Sequence, residues 1–136
     1  MHTTNYANTF IAVAEDSTAE RGIAPPEKAD NPSIAFRTWR MIAEHPYRYT
    51  SDDVIFTVWA DRKGIPADER EAARATFFNK GQPCLRASDL GKKYGWGIHH
   101  DADGRVALYG VESTEYQALA DRDDIAVVKA MRSARR

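Results

Sequence analysis

The chain has 136 residues, 43% of them hydrophobic and 29% charged, with a formal net charge of −1 and a single cysteine. That length fits one domain with its own core, and one thiol excludes an internal disulfide. Near-neutral charge argues against the broad basic footprint of a nucleic-acid binder. No run approaches membrane-spanning length, and the start lacks the cationic-then-apolar plan of a secretory leader, so a cytoplasmic protein without a membrane partner is expected.

Phe10 to Ala14 is a short apolar run with two β-branched residues and predicts a strand over 10–14, buried on both faces. Residues 16–30, charged and carrying Pro25-Pro26, read as a long loop of the kind that is either mobile or functional. Asn31 as cap and Pro32 at the first helical position start a helix over 32–45, with Ala35, Trp39 and Ile42 on its core face and Pro46 as its stop. In the next segment composition and end signals disagree. Val54-Ile55-Phe56-Thr57-Val58-Trp59 has the residues of a central strand, but Ser51-Asp52-Asp53 before it and Arg62-Lys63-Gly64-Ile65 after it have the chemistry of helix ends. Capping at both ends outweighs propensity and predicts a mostly buried helix over 52–63, with a strand as the alternative.

A third helix over 67–79 begins with Asp68, Glu69 and Glu71, carries alanines in its middle and stops at Gly81 and Pro83. Ser88 caps a short helical turn through Lys93. A last helix over 114–121, capped by Ser113 or Thr114, the latter with Gln117 fitting a capping box, precedes a strand over 125–130 and a basic tail of Arg132, Arg135 and Arg136.

Residues 77–112 hold the cysteine, two of the four histidines and six of the eight glycines. Asp101-Ala102-Asp103-Gly104 is a tight-turn signal between two strand-like runs and predicts a hairpin of 96–101 with 105–111. With Gly104 left-handed, Ile98 falls opposite Leu108 and His100 opposite Val106. Trp96, Ile98, Val106 and Leu108 then share one face, and His99, Ala107 and Tyr109 the other. Adjacent strand residues point to opposite faces, so His99 and His100 cannot close on one metal ion, and no zinc or other metal site is expected. The glycines of 91–97 lack the closing Gly-Lys-Ser/Thr of a phosphate loop, and no Gly-x-Ser-x-Gly elbow anchors a serine triad. No cofactor is implied.

Three groups remain as candidate sites. Cys84 lies between two helical segments with Arg86, Lys92 and Lys93 close in sequence; cations and a helix start lower a thiol pKa, and His99 or His100 would serve as base. The competing reading is a buried small apolar residue. His99 and Tyr109 form a polar pair that a ligand would meet, or else a solvated sheet face, while His100 reads as a satisfied edge or core histidine. Arg86, Lys92, Lys93 and Arg105, joined by Arg132 if the last strand lies beside the hairpin, would make an anion site, against the alternative of ordinary surface charge.

His2-Thr3-Thr4-Asn5-Tyr6, Tyr49-Thr50-Ser51-Asp52-Asp53, Lys80 to Arg86, Tyr94 to His99 and Lys129 to Ser133 give the chain a further identity. Through these strings it resembles, nearly end to end, an uncharacterised family of small bacterial and fungal proteins filed as domain of unknown function 6157. The resemblance implies a compact bacterial-type cytosolic domain and brings no activity, ligand or catalytic residue with it.

The expected architecture is α+β in one domain: a small, mainly antiparallel sheet of three to four strands with the helices largely on one side. The expected function is a non-catalytic binding or interaction domain for a small anionic ligand or a protein partner around Arg86, His99 and Tyr109. The alternative is a cysteine-dependent enzyme or thiol redox switch at Cys84. A homo-oligomer stays open.

Overall fold

The computed structural model describes residues 1–134. Its strands are β1 (Thr9–Ala12), β2 (Trp96–His100), β3 (Val106–Gly110) and β4 (Ala126–Lys129), and its helices α1 (Ile34–Glu44), α2 (Ser51–Lys63), α3 (Arg70–Phe77), α4 (Asp89–Lys92) and α5 (Thr114–Ala120). The sheet order is β3-β2-β1-β4, antiparallel except for the parallel β1–β4 pair. This is the α+β plan expected. The hairpin register is also the expected one, Ile98 opposite Leu108 and His100 opposite Val106, with Gly104 at φ 78°.

The two sheet faces have different covers. Ile11, Ile98 and Val106 pack under Ile42 of α1 and Val54 and Val58 of α2. Phe10 and Ala12 pack instead under Tyr116 and Leu119 of α5, so the last helix lies on the opposite face from the others. Gly97 makes this possible: a Cβ there would run into the rings of Phe10 and Tyr116.

Helix ends are where the chain departs from expectation in detail. Ser33, not Asn31, caps α1, accepting from the Phe36 N–H at 3.1 Å, so the helix starts two residues later than predicted. The segment that propensity assigned to a strand is helix. Thr50 caps it, Asp53 completes a reciprocal capping box, and Gly64 closes it at φ 68°. Ends that satisfy the orphan amides and carbonyls decide between helix and strand when the middle does not. Ser113 alone caps α5, so the predicted Thr114–Gln117 box does not form. The third helix is shorter than 67–79, because Ala67–Glu69 is a 3-10 turn and α3 ends at Phe77.

The long segment before α1 has no helix or strand, yet it is tied down. Ile23 N–H bonds the Tyr94 carbonyl, Gly22 N–H bonds Glu112, and Trp96 Nε1–H bonds the Ile23 carbonyl. Gly95, at φ 77°, lets this strap through, since a Cβ would overlap the Arg21 backbone. Of the predicted basic tail, Arg132 pairs with Glu15, and Arg135 and Arg136 lie outside the described residues.

Candidate functional site

The hairpin places His99 and His100 on opposite faces. On the α5 side, the Tyr47 hydroxyl lies 2.8 Å from His99 Nδ1 and 2.7 Å from the Tyr109 hydroxyl. The expected His99–Tyr109 pair therefore meets through a residue the sequence reading passed over. Tyr47 follows Pro46 in the left-handed conformation, φ 61°, and its N–H bonds Val106 on the outer edge of β3. That geometry carries the phenol around the sheet edge, and a bulky residue holds it only where its surroundings enforce it. Burial, then nearby Arg122, holds the His99 imidazolium below its usual pKa, and burial first, then Tyr109, raises the Tyr47 phenol.

On the α1–α2 side lies a second cluster. Cys84 is half-buried at the start of the 3-10 turn Leu85–Ala87, and its Sγ is 3.3 Å from the Tyr6 hydroxyl. That hydrogen bond is the main cause raising the Tyr6 pKa, with burial second and Arg86 opposing. The edge of the Tyr6 ring meets the fully buried His100 at a centroid distance of 5.4 Å. His100 Nδ1 faces the Ile98 carbonyl at 3.3 Å, and among the described residues its Nε2 has no hydrogen-bond partner. The expectation of a satisfied core histidine is corrected there. So is the pairing of Cys84 with a histidine base: His99 is across the sheet on Tyr47, and His100 is one ring removed behind Tyr6.

The four cations expected to form an anion site sit on three elements and share no polar partner. Arg86 donates from Nε to the Lys129 carbonyl at 2.7 Å, Lys92 and Lys93 end α4, and Arg105 belongs to the hairpin turn beside Asp101. The edge of β4 lies beside Arg86, as that contact shows, but Arg132 turns to Glu15.

A further concavity was not foreseen. An open cleft of about 1330 Å³ separates α3 from α1, α2 and the segment 82–89. Each helix offers one face to it: Ile34, Ala35 and Thr38 from α1; Ile55, Val58, Trp59 and Arg62 from α2; Ala72, Ala73, Thr76 and Phe77 from α3. These spacings of three and four residues are the signature of a helix face turned to a core. Here the α3 face is too small to fill the space, and Ile34 remains 57% exposed. Cys84 reaches the cleft wall beside Gln82 and Pro83. The sequence carried a signal for this: from Pro66 to Thr76 there is no large apolar residue.

Among the described residues no helix is long and apolar enough to cross a membrane, and no cluster of three metal-ligating side chains forms. In comparisons with known proteins, one family model, described as Family of unknown function (DUF6157), matches residues 1–136. No curated protein and no solved structure gives a significant match.

Proposed function

Because the chain belongs to the Family of unknown function (DUF6157), whose description carries no activity to transfer, we propose from geometry that it is a non-catalytic binding protein whose ligand site is the α1–α2–α3 cleft. The observation that carries this reading is the unfilled apolar volume onto which three helix faces converge. Monomeric proteins seldom leave such a surface uncovered without a use for it, and ligand sites are concave and mainly apolar with a few polar groups that orient the guest. The guest is an elongated apolar molecule with an anionic head. Arg62, Lys63 and Lys80 line the walls without an ion pair among the described residues, against Asp68, Glu69 and Asp89. Arg62 and Lys63 end α2, close in sequence to Asp68 and Glu69, whereas Lys80 follows the end of α3 and is the cation assigned to the head.

Dodecanoate is a suitable probe. Filling the cleft with Ala72→Trp weakens its binding by at least about tenfold, a loss of about 1.4 kcal/mol. Ala75→Trp, on an exposed α3 position that does not line the cleft, leaves binding unchanged. Calorimetric titration of both variants checks this, and equal affinities would sink the reading.

A second reading, thiol chemistry at Cys84, is favoured by the Tyr6 hydroxyl beside Sγ. In that reading the Tyr6 hydroxyl donates a hydrogen bond to a Cys84 thiolate, with Arg86 the nearby positive charge and no histidine in contact. Cys84→Ser separates the two readings: the binding protein keeps dodecanoate affinity within about threefold, while a thiol-dependent turnover disappears entirely.

A further inference from the structure

From residue 61 to residue 77 no side chain is fully buried, and α3 adds only the partly buried Ala73 and Phe77 to a small cluster of Phe56, Ala60 and Phe78 away from the two sheet faces. Both ends of the segment are hinge-like. Gly64 is left-handed, with open space where a Cβ would stand, and Gly81 has only His2 Nδ1 near that position, at 3.8 Å. The anchor is at the far end, where Phe78 is 2% exposed and Phe77 stacks on Trp59 at 4.8 Å. His2 N–H bonds the Phe78 carbonyl, and Arg74 bonds Asp53 at 2.9 Å beneath the Phe56 and Phe78 rings. At the near end Ile65 packs against the same cluster, and past it one side chain ties α3 to α2. Arg70 spans the α2–α3 corner, its Nε on the Ile65 carbonyl and its Nη1 2.9 Å from Asp61.

We propose that α3 is a lid that rocks on its Phe77–Phe78 end and opens the cleft when Arg70 releases the corner. The inference rests on the cleft being the ligand site and adds how a ligand enters it. The small inward face of Ala72, Ala73 and Thr76 is what allows the motion, because no large side chain has to be withdrawn from a packed hole. The Arg70–Asp61 pair is 31% and 42% exposed, and pairs that open to solvent hold weakly. Segments with few buried contacts open locally, without global unfolding. A ligand lying against all three helix faces favours the closed lid, since it touches α3 only in that state.

Hydrogen exchange on the whole chain, with and without saturating dodecanoate, tests this. In the free protein the amides of 72–77 exchange at least about tenfold faster than those of 56–60, through an opening insensitive to low denaturant. Arg70→Ala speeds them by about threefold more at an unchanged unfolding midpoint. Dodecanoate slows them. If α3 exchanges only with α2 and with the same denaturant dependence, there is no lid. If calorimetry shows dodecanoate bound while α3 exchange is unaltered, the cleft stands as the site and the lid is overturned. If calorimetry shows no binding of dodecanoate, the cleft reading fails, and the lid, as its gate, fails with it.

Discussion

Asp52→Ala destabilises the protein by about 3 kcal/mol in urea unfolding, roughly 10 °C in midpoint temperature for a domain of this size. Asp52 is 9% exposed, and its carboxylate accepts from the Thr3 hydroxyl at 2.6 Å, the Thr4 N–H at 2.7 Å and the Thr4 hydroxyl at 2.7 Å. The Asp52 N–H donates to the Asn5 side-chain carbonyl at 2.9 Å, and the Thr4 hydroxyl also meets Ser51 at 2.9 Å. The carboxylate sits in the first turn of α2, where the helix dipole favours a negative charge. Alanine leaves the buried Thr4 N–H without an acceptor and the Thr4 hydroxyl with Ser51 alone, which costs more than the bonds were worth when made. Asp52→Asn, which keeps one acceptor oxygen, loses about half as much. A loss below about 1 kcal/mol for alanine would mean that the N-terminal strap is not fastened here.

The same network explains why the strings that carried the family resemblance lie so far apart in sequence. His2 to Tyr6 is a strap laid across the start of α2. Thr3 and Thr4 bond Asp52, the His2 N–H bonds Phe78, and Tyr6 bonds Cys84 while touching His100. Four of the five quoted strings, from 2–6, 49–53, 80–86 and 94–99, flank or build this one junction between the sheet, α2 and the base of α3. The junction positions Cys84 at the cleft wall and Phe78 at the foot of the lid. Its integrity is therefore a precondition for the proposed site, though none of its strap residues lines the cleft.

Much of the fold was legible because its signals are local. The hairpin register follows from Gly104 and the alternation around it. The helical state of 51–63 follows from its ends, against the β-branched and aromatic run between them. Paired strands need partners distant in sequence, so the parallel β1–β4 pairing and the placing of α5 on the opposite face could not be read from either segment alone. The site was harder for a physical reason: a cleft is the absence of side chains at a junction of three helices. The small residues of α3 read equally well as a good helix former's sequence. Tyr47 was missed because its role depends on a left-handed backbone that no residue type announces except glycine or asparagine. The cysteine was placed correctly between two helical segments, but only three dimensions separate it from the histidines, one across the sheet and one behind a phenol ring.

His100 makes stability depend on pH above the range where carboxylates titrate. It is fully buried on the α1–α2 face, and burial pushes its pKa down to about 4, with the Ile98 carbonyl opposing that shift and neighbouring His99 adding to it. Asp101 is the nearby acid, and Tyr6 the phenol whose ring lies against the imidazole. A carbonyl can only accept, so Nδ1 carries the proton towards Ile98, and the unpartnered Nε2 is the lone pair that acid would charge. In the unfolded chain a histidine titrates near 6.5. Between these values the unfolded state binds the extra proton, so stability falls as the pH is lowered from about 6.5 to about 4, by about 3 kcal/mol in all and with a slope approaching one proton. Acids held below their usual range, such as Asp53, lose their contribution only at lower pH, so the two losses separate along the axis. Urea unfolding at half-unit steps from pH 7.5 to 4 measures the slope. His100→Leu removes it while changing stability at pH 7.5 by no more than about 1 kcal/mol, because an unpartnered nitrogen and one long hydrogen bond are exchanged for a side chain of similar volume. A slope that persists in the leucine variant would assign the acid sensitivity to His99 and its Tyr47 contact on the other side of the sheet.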